Sequence, residues 1–192
     1  MVASKADRSE TGGASASRSE TFRTVIQIAA LGVTCAIFVY NANVLWFLKQ
    51  RDVTLTFQQR FDDLVGTISK EAEDGHDPTD CYFRFWTLQE EQFEAWMDGL
   101  IPDKTYRVWM LYRAYEAGHK LRPGKQLTER MSYQDGWAAV KDHFREEGFV
   151  EFINTILKGG DAAANVDEAF ALMAPTRAKR LSAWHRFSLA QD

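Results

Sequence analysis

The densest group of side chains able to hold a metal ion is His76, Asp77, Asp80 and Cys81, in the run HDPTDC. Imidazole, carboxylate and thiolate can meet a zinc ion, but zinc sites built from sequence-local ligands usually show a second pair at a familiar spacing. There is no CxxC and no HxxxH in this chain, and Asp77 before Pro78 reads instead as a helix cap. His76, Asp80 and Cys81 are therefore weak metal candidates, and the plainer reading is a solvated loop. Glu90, Glu91 and Glu94 offer carboxylates for proton transfer, yet no nucleophile stands beside them. They read as a solvated helix face. His119, His143 and His185 fall near helix ends or on polar faces, and RPGKQ at 122–126 lacks the glycine frame that cradles phosphate. No catalytic residue and no cofactor is assigned, and the chain is not expected to be an enzyme.

The richest stretch is FRFWTLQEEQFEAW, residues 83–96, with five aromatic rings in fourteen positions. At helical spacing Phe85, Leu88, Gln89, Gln92, Phe93 and Trp96 line up, and Tyr82, Trp86 and Phe93 form a neighbouring row. So wide an apolar arc predicts a helix covered on more than one side, the central member of a small bundle. Tyr82, Phe85, Trp86, Phe93, Trp96 and, from the next helix, Trp109 are its core aromatics or, failing that, a docking row. Residues 82–110, YFRFWTLQEEQFEAWMDGLIPDKTYRVWM, resemble a segment found in uncharacterised bacterial proteins with one N-terminal membrane span and a short helical cytoplasmic domain. That resemblance rests on Arg84, Trp86, Gln92, Trp96, Gly99, Ile101 and Trp109. It implies architecture and membrane anchoring, and no activity.

What must carry this helix is read from the rest of the 192 residues. Thr24 to Leu48 contains no charged residue over 25 positions. A helix needs only about 20 to cross the hydrocarbon of a bilayer. The run is too long for a signal peptide and ends at Lys49 and Arg51 without a small-x-small cleavage pattern. Tyr40, Trp46 and Phe47 gather at its far end, where rings favour the headgroup layer. Inside it Gly32 and Ala36 form a small-xxx-small pair, and Asn41 and Asn43 carry amides that a cross-helix partner would satisfy. A homo-oligomer through this helix stands level with a monomeric span. Lys49 and Arg51 outnumber Arg23 close to the membrane, which favours an outside N-terminus and a cytoplasmic C-terminal part.

The organisation expected is all-α: an N-terminal transmembrane helix followed by a small helical bundle. Residues 1–22 form a disordered tail of Ser, Ala and Gly. Residues 23–48 form the transmembrane helix and 49–72 a juxtamembrane helix, with an apolar stripe at Phe57, Phe61, Leu64, Val65 and Ile68. Residues 73–160 form the bundle, with stops at Gly99, Gly118 and Gly159–Gly160 and a start at Ser132 with Asp135. Residues 161–192 divide at Pro175 into short helices. The basic run RAKRLSAWHRF, with Arg177, Lys179, Arg180 and Arg186, lies on an anionic leaflet or closes the bundle. Cys35 and Cys81 are too differently placed to pair, and one thiol outside the span fits a reducing compartment. A net charge of -4 gives no basic field for nucleic acid. The chain is expected to be a membrane-bound interaction or scaffold module, its protein partner unknown, or an accessory subunit of a larger membrane complex. A metal-dependent sensor using His76, Asp80 and Cys81 is the third reading.

Overall fold

The computed structural model describes residues 12–73, 76–118 and 131–189. Side chains at 12–21, 69, 72–73, 116–118 and 183–189 are not described. The described residues are nearly all helical: α1 Gly12–Glu73, α2 Pro78–Met97, α3 Asp103–Gly118, α4 Tyr133–Val140, α5 Glu147–Leu157 and α6 Ala162–Leu189. A single 3-10 turn, Lys141–His143, links α4 to α5.

By its contacts the chain divides at Leu48 into two units. The first holds the apolar part of α1, whose large side chains from Phe22 to Leu48 are all exposed. This is the one helix among the described residues that is long and apolar enough to cross a membrane. Residues 12–22, placed in a disordered tail by composition, are the first turns of α1, and residues 1–11 lie outside the described residues. Once the apolar stretch has nucleated a helix, each added residue gains a backbone bond at little further cost, so an Ala-containing flank can join it.

In the second unit the last turns of α1 bring Ile68, fully buried, together with half-buried Phe57, Phe61, Leu64 and Val65 against the core. The side chain of Gln50 donates to the Gly99 carbonyl at 2.7 Å. α2 begins at Pro78 behind Asp77, whose carboxylate accepts from the Thr79 amide at 2.9 Å and so satisfies one of the donors a helix start leaves open. It ends before Gly99, whose φ of 76° is the left-handed conformation that glycine adopts without strain. α4 starts at Ser132, which accepts from the Asp135 amide at 3.1 Å. Asp161 caps α6 by accepting from the amides of Ala163 and Ala164.

α2 packs on α4, α3 lies against α5 and α6, and α5 packs along α6. α4 approaches α2 through Gly136, where a side chain would run into the Tyr82 ring. One expectation fails at the C-terminal end, because α6 runs through Pro175 instead of dividing there. Proline removes one helical hydrogen bond and crowds the preceding turn, a cost that tertiary contacts can offset. Those contacts are present. Arg177 donates to the Trp96 carbonyl at 2.9 Å and pairs with Asp103 at 3.0 Å, and Arg180 pairs with Glu94 at 2.8 Å.

Candidate functional site

Tyr82, Phe85, Trp86, Phe93 and Trp96 are each at most 2% exposed, because α2 packs on α4 and α6 while its rings meet Tyr106 of α3 and Phe149 and Phe152 of α5. Trp96 is the hub. Its ring centroid lies 4.7 Å from Phe170, 5.0 Å from Tyr106 in a stacked pair and 5.6 Å from Phe152. Trp86 meets Trp137 at 5.0 Å, and Phe93 meets Phe152 at 5.2 Å. The indole N–H of Trp96 donates to Asp103 at 2.8 Å, and the same carboxylate oxygen holds Arg177, whose guanidinium also faces the Trp96 ring. This network joins α2, α3 and α6 with its polar atoms satisfied. Trp109 is only half-buried, at the margin of the core.

The polar members of the same α2 row are treated differently. Gln89 is fully buried and neither of its amide atoms has a hydrogen-bond partner. Gln92, one turn on, is 3% exposed. The Trp86 indole N–H and the Tyr106 hydroxyl are likewise buried without a partner. Burial holds the Tyr106 phenol well above its ordinary range. A buried unsatisfied donor or acceptor costs about 1–3 kcal/mol, and native cores hold few of them. Gln89 with two such atoms and Trp86 and Tyr106 with one each place four of them in the core.

Gln92 lines a groove of about 370 Å³ between the second-unit part of α1 and α3, together with Phe57, Phe61, Trp109, Tyr112 and Arg113. The Arg113 guanidinium lies over the Phe61 ring, 4.3 Å from its centroid, where the ring quadrupole attracts a cation. Asp62 and Gln58 stand exposed at the rim. Rings and polar side chains share the lining of this groove about equally. The sequence places Gln89 and Gln92 among the aromatics, and two amides within an apolar row were the available signal.

The HDPTDC group does not converge. His76 and Asp80 are exposed, Asp77 is occupied as the cap of α2, and Cys81 points inward with no exposure. Among the described residues no three His, Cys, Asp or Glu side chains are grouped to hold a metal. Cys81 sits four residues before Phe85 and joins its buried row. Burial pushes its thiol up, against the pull of the Arg84 guanidinium, which lies 4.0 Å from the sulfur. Arg84 forms an ion pair with Glu71 and another with Asp80 at 3.5 Å, and the hydrogen bond from Arg84 holds the Glu71 carboxyl below its usual range.

The three glutamates fare unequally. Glu91 is exposed and pairs with Arg60 at 2.6 Å, Glu94 is half-buried against Arg180, and Glu90 is half-buried with a carboxyl raised by burial and by the charges of Glu94, Glu146 and Glu91. His143 is exposed with its ring edge against Phe83. His119 and the 122–126 run lie outside the described residues, as do the side chains of His185 and Arg186. Gly32, Ala36, Asn41 and Asn43 are all exposed on α1, and a methyl group added at Gly32 would meet nothing within 4 Å. No protein family, curated protein or solved structure matches this chain.

Proposed function

We propose that the chain is a single-pass membrane protein whose second unit, a helical bundle on the cytoplasmic side, works by binding other proteins and not as an enzyme. The observation that carries this reading is the uncovered apolar stretch of α1. Its large side chains from Phe22 to Leu48 are exposed to solvent by 38% or more of their area, and none of the most apolar window is buried in the chain. A soluble protein rarely leaves a continuous apolar surface of that size open, since each buried Å² is worth about 25 cal/mol. Hydrocarbon is a medium in which such a surface costs nothing, and a helix satisfies its own backbone there. Lys49 and Arg51 at its C-terminal end support placing the second unit inside. In that unit Asp77, Ser132 and Asp161 serve as helix caps, and Arg177 and Arg180 tie α6 to α2 and α3, uses that suit an interaction module.

The test is extraction of membranes at alkaline pH in carbonate. The full-length chain should stay in the pellet, and its recovery in the supernatant would remove the anchor. Orientation has to be read with an introduced thiol, because Cys81 is buried and would resist a membrane-impermeant reagent on either side. Asp142→Cys puts the probe on an exposed position, and labelling before lysis would reverse the orientation.

A subunit role in a larger membrane complex is the second reading, favoured by Asn41 and Asn43, whose amides are exposed within the apolar stretch. Purification in mild detergent with cross-linking separates the cases. A stable heteromeric complex supports the subunit role, and a homodimer lost in Gly32→Leu places self-pairing at the Gly32 and Ala36 face.

A further inference from the structure

Three ties set the second-unit part of α1 and α2 side by side in opposite directions. Gln50 donates to the Gly99 carbonyl, Arg60 pairs with Glu91, and Arg84 pairs with Glu71. The hairpin so formed gives the unit an entry end, where the chain arrives from Leu48, and a far end, where α1 closes and α2 begins. Gln50 holds the turn between α2 and α3 at the entry end, two residues or about 3 Å along the helix axis after Leu48. α6 reaches the same end, since Arg177 holds Asp103 and the Trp96 carbonyl, and Arg180 pairs with Glu94 at 2.8 Å and Asp98 at 3.7 Å.

Charge is divided between the two ends. Residues 49–192 carry 19 Lys and Arg against 24 Asp and Glu, so the unit taken whole is acidic. On α1 and α2 beyond the Arg60–Glu91 tie, Asp62, Asp63, Glu71, Asp80 and Glu90 stand against Lys70 and Arg84. The entry end reverses the balance, with Lys49, Arg51, Lys104, Arg177, Lys179 and Arg180 against Asp52, Glu94, Asp98 and Asp103. Arg177 and Arg180 are spent on Asp103, Glu94 and Asp98, whereas Arg51, Lys104 and Lys179 are exposed to solvent. An acidic body is repelled by an anionic surface unless the end it presents is basic. The potential of an anionic leaflet reaches about 8 Å into solution at physiological ionic strength, and the chain itself holds the entry end within that layer at high local concentration.

We infer that the entry end of the second unit is a docking surface for anionic phospholipid, taking the headgroup phosphates with Arg51 of α1, Lys104 of α3 and Lys179 of α6. This docking rests on the membrane anchor proposed above, and it adds a lipid class and the residues that choose it.

The test uses the full-length chain in phosphatidylcholine vesicles carrying trace spin-labelled lipids. Flotation with the vesicles reports the anchor by itself, and a chain that does not float overturns the anchor and the docking together. In the floated chain, electron spin resonance should show phosphatidylglycerol associating at least roughly threefold more strongly than phosphatidylcholine, a preference that shrinks as salt is raised. The double variant Lys104→Gln with Lys179→Gln keeps Lys49 and Arg51 beside the anchor. It should melt as wild type does, since both side chains are exposed, and should lose at least roughly half of the preference. Lys70→Gln, beyond the Arg60–Glu91 tie, should leave the preference unchanged. A floated chain without lipid preference, an undiminished preference in the folded double variant, or an equal loss in Lys70→Gln would each overturn the docking while leaving the anchor in place.

Discussion

Replacing Gly136 by alanine tests the packing of α4 on α2 with a single methyl group. That methyl would sit 2.3 Å from Cδ1 and Cγ of Tyr82 and 2.6 Å from Cδ2, over the face of the ring. Carbon atoms rest at about 3.5–4.0 Å, so the ring or the helix must retreat by about 1 Å or more. Tyr82 has little freedom to do so. It is fully buried, its hydroxyl donates to the Met131 carbonyl at 2.7 Å, and its ring meets Tyr133 at 5.8 Å. Overpacking of this kind costs about 1–3 kcal/mol, and losing the tyrosine hydrogen bond adds about 1 kcal/mol. Alanine is the better helix former by up to ~1 kcal/mol, which offsets part of it.

The net expectation is a loss of about 1–3 kcal/mol, or a fall of about 2–12 °C in melting temperature for a chain of this size. The assay is thermal unfolding in nanodiscs followed by circular dichroism. Gly66→Ala is the matched control, since Gly66 is helical and exposed with nothing within 4 Å of the added methyl, and it should gain about 0.5–1 kcal/mol. In the double variant Gly136→Ala with Tyr82→Leu, the two losses should sum to less than their separate values, because removing the ring removes the clash. A Gly136→Ala chain that melts at or above wild type would refute the close approach of α4 to Tyr82.

Three further outcomes are expected. Trp96→Ala should cost about 3–5 kcal/mol in the same melt, whereas Glu91→Gln, at an exposed pair with Arg60, should change stability by about 0.5 kcal/mol or less. Glu90→Gln should stabilise the chain at neutral pH, because the folded state raises the Glu90 carboxyl above its unfolded value and so penalises its charge. That gain should shrink as pH falls through the raised value and vanish below the ordinary carboxylate range, and a gain independent of pH would contradict the charge assignment. Asp103→Leu should leave the Trp96 indole and Arg177 without their shared partner and cost about 2 kcal/mol or more, read as a lower melting temperature.

The limits of α2 and α3 and the start of α4 could be read from single residues, since Asp77 with Pro78, Gly99, Gly118, Ser132 and Asp135 act within one turn of where they stand. The aromatic row of α2 was readable for a similar reason, as helical periodicity needs no knowledge of neighbours. Pro175 misled because its cost is local while the ties that overcome it come from Trp96, Asp103 and Glu94, some 70 to 90 positions earlier. Cys81 misled in a different way. The residues just before it, Thr79 and Asp80, are polar, and only its four-residue spacing from Phe85 tells that it turns inward. The groove was not readable at all, since its walls belong to three helices that meet only after folding.

The two halves of α6 are fastened by different forces. From Val166 to Met173 the helix is held by buried apolar side chains. After Pro175, the described attachments are the guanidinium groups of Arg177 and Arg180 and the half-buried Leu181. Dissolved ions screen charge pairs near the surface and leave apolar burial intact or strengthened. The distal half should thus lift away as ionic strength rises, its amide protons exchanging with solvent while those of the proximal half stay protected. The joint at Pro175 divides the helix into a length that responds to heat and a length that responds to salt.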